Sequence, residues 1–235
     1  MVKRHLLRMS APASWPIERK TKVWVTRPNC GAHKLESCMP LNTILTEKLK
    51  YARTSSEAKK ILNNKELLIN KKVATDLKQQ VGLLDVLEIP KMKEQYRMAF
   101  NTKGQLVLNK ISNEEAGTRV CKVMNKRTIK NKKTQLNLDD GTNLLVDKDN
   151  YALGDSLILE LPERKLKSLL KLEKGAIVYM TGGKNIGTVG KIEDVTQGTG
   201  IKKSMITVKS KKETFQTRKN YAFVIGKDKP VINLE

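Results

Sequence analysis

MPLNTILTEKLKYARTSSEAKKILNNKELLINKKV, residues 39–73, carries the clearest periodicity in the chain. Leu41, Ile44, Leu45, Leu49 and Ala52 recur three and four positions apart, which puts them on one face of a helix beginning just after Pro40. Thr54-Ser55-Ser56-Glu57 then has the form of a capping box, in which a hydroxyl accepts from a free first-turn amide and the Glu side chain returns the bond. Ala58, Ile61 and Leu62 follow on one face of a second helix, with Lys59 and Lys60 pointing away from it. Together with Lys48, Lys50 and Arg53 they are expected to form one basic ridge. Leu67, Leu68 and Ile69, then Asn70-Lys71-Lys72, then Val73, predict strand, turn, strand, because Asn70 tolerates the left-handed conformation of a tight turn. Val81 to Ile89 supplies a further strand, which Pro90 ends.

Towards the amino terminus the pattern dissolves. Residues 1–40 hold Pro12, Pro16, Pro28 and Pro40 among Lys3, Arg4, Arg8, Arg19, Lys20, Lys22, Arg27 and Lys34, with neither a helical nor a strand period. The segment is expected to be an extended basic arm that orders on a partner, with Trp15 and Trp24 as packing or stacking groups. Its only apolar run is Leu6-Leu7, where a secretory signal needs roughly 7 to 15 residues. Towards the carboxyl terminus, Leu106 to Leu108, Val120 to Val123 and Leu157 to Leu161 alternate with turn signals such as Asp139-Asp140-Gly141, a spacing that suggests a small barrel. Lys126 to Lys133 contains five basic residues in a candidate hairpin, Arg127 among them. Beyond Ala176 the chain breaks at Thr181-Gly182-Gly183-Lys184-Asn185-Ile186-Gly187 and again at Gly198-Thr199-Gly200, ahead of Lys202 and Lys203. These are hairpin turns whose glycines allow positive φ and close backbone approach.

Charge narrows the partner. Across 235 residues, 46 Lys and Arg oppose 24 Asp and Glu, a formal charge of +22. It is spread evenly: +6 over residues 1–40, +6 over 41–104, +4 over 105–175 and +6 over 176–235. Solubility alone asks for a magnitude of about 2 to 8 in a small domain. Such a surface repels itself, and a polyanion relieves that repulsion while releasing counterions. A basic membrane-binding helix would concentrate the charge on one element, and no stretch approaches the roughly 18 apolar residues of a membrane span. A soluble nucleic-acid-binding protein is expected, and three cysteines without a secretory signal fit free thiols in a reducing compartment.

Two of these stretches resemble known families. Residues 39–73 resemble the S-four-type RNA-binding domain, although that family often has Asn-Gly or Asp-Gly where this chain has Asn70-Lys71, and a glycine near Lys65. GAIVYMTGGKNIGTVGKIEDV, residues 175–195, looks like a KOW motif. In order along the chain, KRHLLRMSAPASWP, RPNCGAHKLESCMPL, the helix pair, VGLLDVLEI, YRMAFNTKGQ, the β-rich middle and NYAFVIGKDKPVINL resemble the ribosomal protein S-four-e family of the small subunit of archaea and eukaryotes. The resemblance covers essentially the whole chain, and the ending soon after NYAFVIGKDKP is more like archaeal members.

That resemblance implies an α+β, β-rich, multi-module protein: a basic arm over 1–40, an S-four-type domain over 41–95, a central β-barrel-like domain over 96–174, and a KOW-containing SH3-like barrel over 175–235. It implies a non-enzymatic, cytoplasmic constituent of the small ribosomal subunit. Its partners would be small-subunit ribosomal RNA and neighbouring ribosomal proteins, with no cofactor, membrane or small-molecule substrate. The candidate RNA-binding residues are Lys3, Arg4, His5, Arg8, Arg27, His33 and Lys34 in the arm, then Lys48, Lys50, Arg53, Lys59 and Lys60 on the ridge. Arg127 in the hairpin and Lys184, Asn185, Lys191, Lys202 and Lys203 in the last module complete the set.

Other chemistry fits poorly. Cys30, His33 and Cys38 lack the paired knuckles of a zinc site. Gly187 is followed by Thr188-Val189 rather than by the Lys-Ser/Thr of a nucleotide-binding loop, and the context is a strand. An RNA-modifying enzyme would need a catalytic domain that the remaining residues do not display, and a transcription-elongation factor would rest on the KOW motif alone.

Overall fold

The computed structural model describes residues 5–129, 133–147, 149–199, 202–210, 213–227 and 229–234. It divides into two compact units, Met1–Ala99 with Gln105–Gly117, and Phe100–Gly104 with Thr118–Glu235. Among the described residues no helix is long and apolar enough to cross a membrane.

The first unit opens with β1 (Leu6–Leu7) paired antiparallel to β2 (Trp24–Val25). Leu6, Ala11, Trp15 and Val25 are buried, the Trp15 Nε1–H donates to the Leu35 carbonyl at 3.3 Å, and the Leu106 amide donates to the Ser14 carbonyl at 2.8 Å. From residue 5 onward the arm is thus part of the unit. It shows no period because tertiary contacts, rather than a repeating element, place its apolar side chains. Strand β3 (Cys38–Pro40) leads into α1 (Leu41–Thr43), which widens into a π-helical turn over Ile44–Lys48. The helical stripe stops short of Ala52, since Lys50 is left-handed at φ 55° and the Leu45 carbonyl accepts from both Tyr51 and Ala52 amides. After α2 (Ser55–Asn63) come β4 (Leu68–Ile69) and β5 (Lys72–Val73), a tight hairpin with Asn70 and Lys71 both at positive φ.

Strand β6 (Gln80–Gly82) pairs with β3, and β7 (Val86–Ile89), β8 (Glu94–Phe100) and β9 (Leu106–Lys110) complete a sheet ordered β5-β4-β7-β8-β9. The sheet that holds the β4–β5 hairpin therefore runs on to Lys110. Leu41, Ile44, Leu45, Ala58 and Leu62 pack in the core with Leu67, Val86, Leu87 and Met98. The short α3 (Asn113–Ala116) closes the unit.

The second unit holds two five-stranded antiparallel sheets. The first comprises β10 (Thr118–Thr128), β11 (Thr134–Leu138), β12 (Asn143–Val146), β13 (Ser156–Glu160) and β14 (Lys165–Leu170), in the order β12-β11-β10-β13-β14. Cys121, Val123, Leu136, Leu138, Leu157 and Leu159 form its core. Among the described residues no pairing joins β12 to β14. The second sheet comprises β15 (Ile177–Met180), β16 (Val189–Thr196), β17 (Met205–Ser210), β18 (Thr214–Arg218) and β19 (Ala222–Gly226), in the order β18-β17-β16-β15-β19.

Candidate nucleic-acid interface

The ridge is built by the start of α2. Thr54 is extended at φ −125°, its Oγ1 accepts the Glu57 amide at 3.3 Å, and Glu57 Oε2 accepts the Arg53 amide at 2.8 Å. This is the reciprocal capping box, and the Arg53 amide is the leading reason that the Glu57 carboxyl lies below its usual range. With the helix start fixed, Ala58 and Leu62 turn inward while Lys59 and Lys60 face solvent, as do Arg53 and Lys50. Lys48 is half-buried, and that burial lowers its pKa against the opposing pull of Glu47.

Many other surface cations are already neutralised. Lys91 meets Glu66 at 2.8 Å, Lys110 meets Glu94 at 2.8 Å, Lys126 meets Asp149 at 2.9 Å and Lys174 meets Asp194 at 2.7 Å. The Lys110 ammonium, followed by the Tyr51 and Tyr96 hydroxyls, holds the Glu94 carboxyl down to about 2. Lys50, Lys59 and Lys60 have no acidic partner among the described residues, while Arg53 has the Glu57 carboxylate beside it.

Two arm residues go elsewhere. Arg8 is buried, donating Nη1 to the Glu18 carbonyl at 2.7 Å and to Glu47 Oε2 at 3.1 Å, so these donors are engaged within the fold. His33 sits with Nε2 3.3 Å from Asp85 Oδ2, and its ring fills the space over Gly82, where a Cβ would lie 2.1 Å from it. Asp85 also accepts from the Gly82 amide at 2.6 Å and from Asn70 Nδ2 at 2.7 Å, which makes His33 part of a buried polar junction. His5 and Lys34 are exposed and Arg27 is half-buried. Lys3 and Arg4 lie outside the described residues.

In the second unit, Arg127 is exposed on the β10–β11 ribbon opposite Gln135. Lys130 and Lys132 of the same basic run lie outside the described residues, as does Gly200. Lys184, Lys191, Lys202 and Lys203 are exposed, and Asn185 is half-buried with its carbonyl accepting from Thr188 Oγ1 at 2.7 Å. The glycines of this loop answer to the protein itself. A Cβ on Gly182 would lie 2.8 Å from the Tyr221 ring, and one on Gly187, at φ 79°, would lie 2.2 Å from the Asn101 carbonyl oxygen.

Lys65 and Lys93 are exposed and left-handed, at φ 56° and 54°, lysines standing at turn positions that favour glycine. Among the described residues no group of three His, Cys, Asp or Glu side chains could hold a metal, and Cys30, Cys38 and Cys121 are free thiols.

Comparison with known proteins places this geometry. Three family models match successive parts of the chain: the RS4NT (NUC023) domain over residues 2–36, the S4 domain over 39–87 and Ribosomal family S4e over 92–166. The Small ribosomal subunit protein eS4 of Methanosphaera stadtmanae is 40% identical over 232 residues, covering 99% of this chain and 96% of that protein. The chain belongs to the ribosomal S4e family. A second S4e relative, from Methanothermobacter thermautotrophicus, is 39% identical over 234 residues, covering 99% of this chain and 96% of its own length. The crystal structure of the 30S ribosomal protein S4e from Thermoplasma acidophilum superposes with a TM-score of 0.68 at 29% identity, covering 81% of this chain and 95% of that one. The capped helix pair and its basic ridge fall inside the S4 match, and β9 through β13 fall inside the S4e match.

Proposed function

We propose that this S4e chain is a non-enzymatic, ribosomal-RNA-binding constituent of the small ribosomal subunit in the cytoplasm, acting in subunit assembly and translation. The observation that carries the reading is the capped helix pair with Lys50, Arg53, Lys59 and Lys60 exposed and, among the described residues, Lys50, Lys59 and Lys60 without acidic partners, in a protein of formal charge +22. The ridge docks on a phosphate backbone, Arg127 reaches a second RNA element, and Lys34 and Arg27 contact RNA beside the first unit. Residues 175–235 act as a KOW-type module in which Lys184, Lys191, Lys202 and Lys203 approach phosphates. Neighbouring small-subunit proteins are the remaining partners, and no small-molecule substrate enters the reading.

With nine of ten aromatics at least half-buried, recognition relies mainly on RNA shape. Binding to small-subunit ribosomal RNA should fall linearly on a log-log salt plot, with each phosphate contact contributing a slope of roughly −0.7 to −0.9. An RNA of rearranged sequence but the same secondary structure should keep most of the affinity. Purified protein that ignores both RNAs at near-physiological salt, or fails to sediment with small subunits, would overturn the proposal.

A further inference from the structure

One aromatic stands apart from the other nine. Trp24 is 56% exposed, whereas Trp15 is buried and every Tyr and Phe is buried or half-buried. The β1–β2 ribbon explains its outward aim: Leu6 and Val25 face inward as one cross-strand pair, so Leu7 and Trp24, the next pair, face out. The ribbon is held firmly. The Arg8 amide donates to the Val23 carbonyl at 2.9 Å, and the buried Arg8 side chain anchors the strand end to Glu47. The His5 ring leans on Trp24 with centroids 5.6 Å apart at a 53° tilt, so it walls the indole without lying flat over it.

The chemistry around the indole selects the occupant. Exposed Lys20 and Lys22 precede it in sequence, and over residues 1–40 only Glu18 and Glu36 offset eight cations. A flat aromatic face set among unpaired cations suits a ligand that is itself both aromatic and anionic.

We infer that Trp24, with His5 beside it, is a stacking platform for an unpaired nucleobase of RNA, whose flanking phosphates meet Lys20 and Lys22. The inference rests on the RNA-binding reading above and adds to it a single-stranded subsite within otherwise shape-based recognition.

The test uses the full-length protein, a short single-stranded oligoadenylate and a blunt RNA duplex of equal length, read by tryptophan emission and by affinity. Oligoadenylate should quench the emission of the natural protein, and the duplex should bind without quenching. Trp24→Ala should abolish the quenching and weaken oligoadenylate binding roughly fivefold to a hundredfold, with duplex affinity unchanged. Trp24→Phe should keep most of the affinity. Equal quenching by duplex, or unchanged oligoadenylate affinity in Trp24→Ala, overturns the platform while leaving duplex binding, and hence the RNA-binding reading, in place. Trp24→Ala that keeps oligoadenylate affinity but loses a neighbouring protein from reconstituted subunits assigns the surface to protein and likewise overturns it. Failure of both RNAs to bind at near-physiological salt defeats both readings together, and failure of oligoadenylate alone defeats the platform.

Discussion

Arg8 and Glu47, 39 residues apart in sequence, form an ion pair in which the guanidinium is only 3% exposed and donates to the carboxylate at 3.1 Å. The pair ties the first strand to the π-helical turn that carries Lys48. Glu47→Ala strands a buried cation and should lower unfolding free energy by about 3 to 5 kcal/mol in urea titrations. Its salt slope for RNA should not change. Lys59→Gln should do the reverse, leaving stability within about 0.5 kcal/mol and reducing the slope by roughly 0.7 to 0.9. A lowered slope in Glu47→Ala, in protein that remains folded, would return Arg8 to the interface.

Gly187 is predicted to be a folding position. Alanine there must adopt φ 79°, which L side chains rarely do, and place its Cβ 2.2 Å from the Asn101 carbonyl oxygen, closer than any Cβ tolerates. Gly187→Ala should cost more than about 2 kcal/mol, seen as a lowered thermal midpoint. Gly183→Ala, at φ 86° but no closer than 3.5 Å to its neighbours, should cost less. Equal stability of Gly187→Ala and the natural protein would mean that the backbone at Asn101 yields without cost.

The three thiols should react very unequally. Cys30 is exposed, Cys121 is buried, and burial with the Asp85 carboxylate nearby pushes the Cys38 thiol up to about 12. An aromatic disulfide reagent should titrate Cys30 alone in the native protein and all three after denaturation. Rapid native labelling of Cys38 would mean that the β3–β6 pair opens readily.

Lys122 predicts a pH dependence. Its ammonium is buried against the Asn220 and Ala222 carbonyls, at 2.9 and 2.6 Å. Burial brings its pKa from 10.5 down to about 8, against the upward pull of Asp139 and with a smaller downward push from Lys219. The unfolded chain therefore holds this proton more tightly than the folded one between those values. This group's contribution to stability rises as pH climbs from about 8 to 10.5, by about 3 kcal/mol in all. Lys122→Met should lose that increment relative to the natural protein in paired unfolding curves. Parallel pH profiles would place the ammonium in water instead.

Local signals proved legible where a short-range rule governs them. Thr54 and Glu57 cap α2 because a reciprocal hydrogen bond spans only four residues. Asn70 and Lys71 close the hairpin because a two-residue turn demands positive φ at both. The ridge cations Arg53, Lys59 and Lys60 followed from the same helix register. The partners of Arg8 and His33 were hidden because Glu47 and Asp85 are distant in sequence and no pattern in residues 1–40 announces them. The continuation of the first sheet through β8 and β9 was hidden for the same reason, since strand alternation is visible locally but partnership is not.

Charge, the helix pair and the overall RNA-directed character were written into the chain itself, since net charge is additive and helical and turn preferences act over a few residues. Which cations pair with carboxylates, which glycines serve packing, and why Trp24 stands in solvent while the other aromatics do not were settled only by tertiary structure. Burial and ion pairing depend on where distant segments meet, and composition and local spacing carry no record of that.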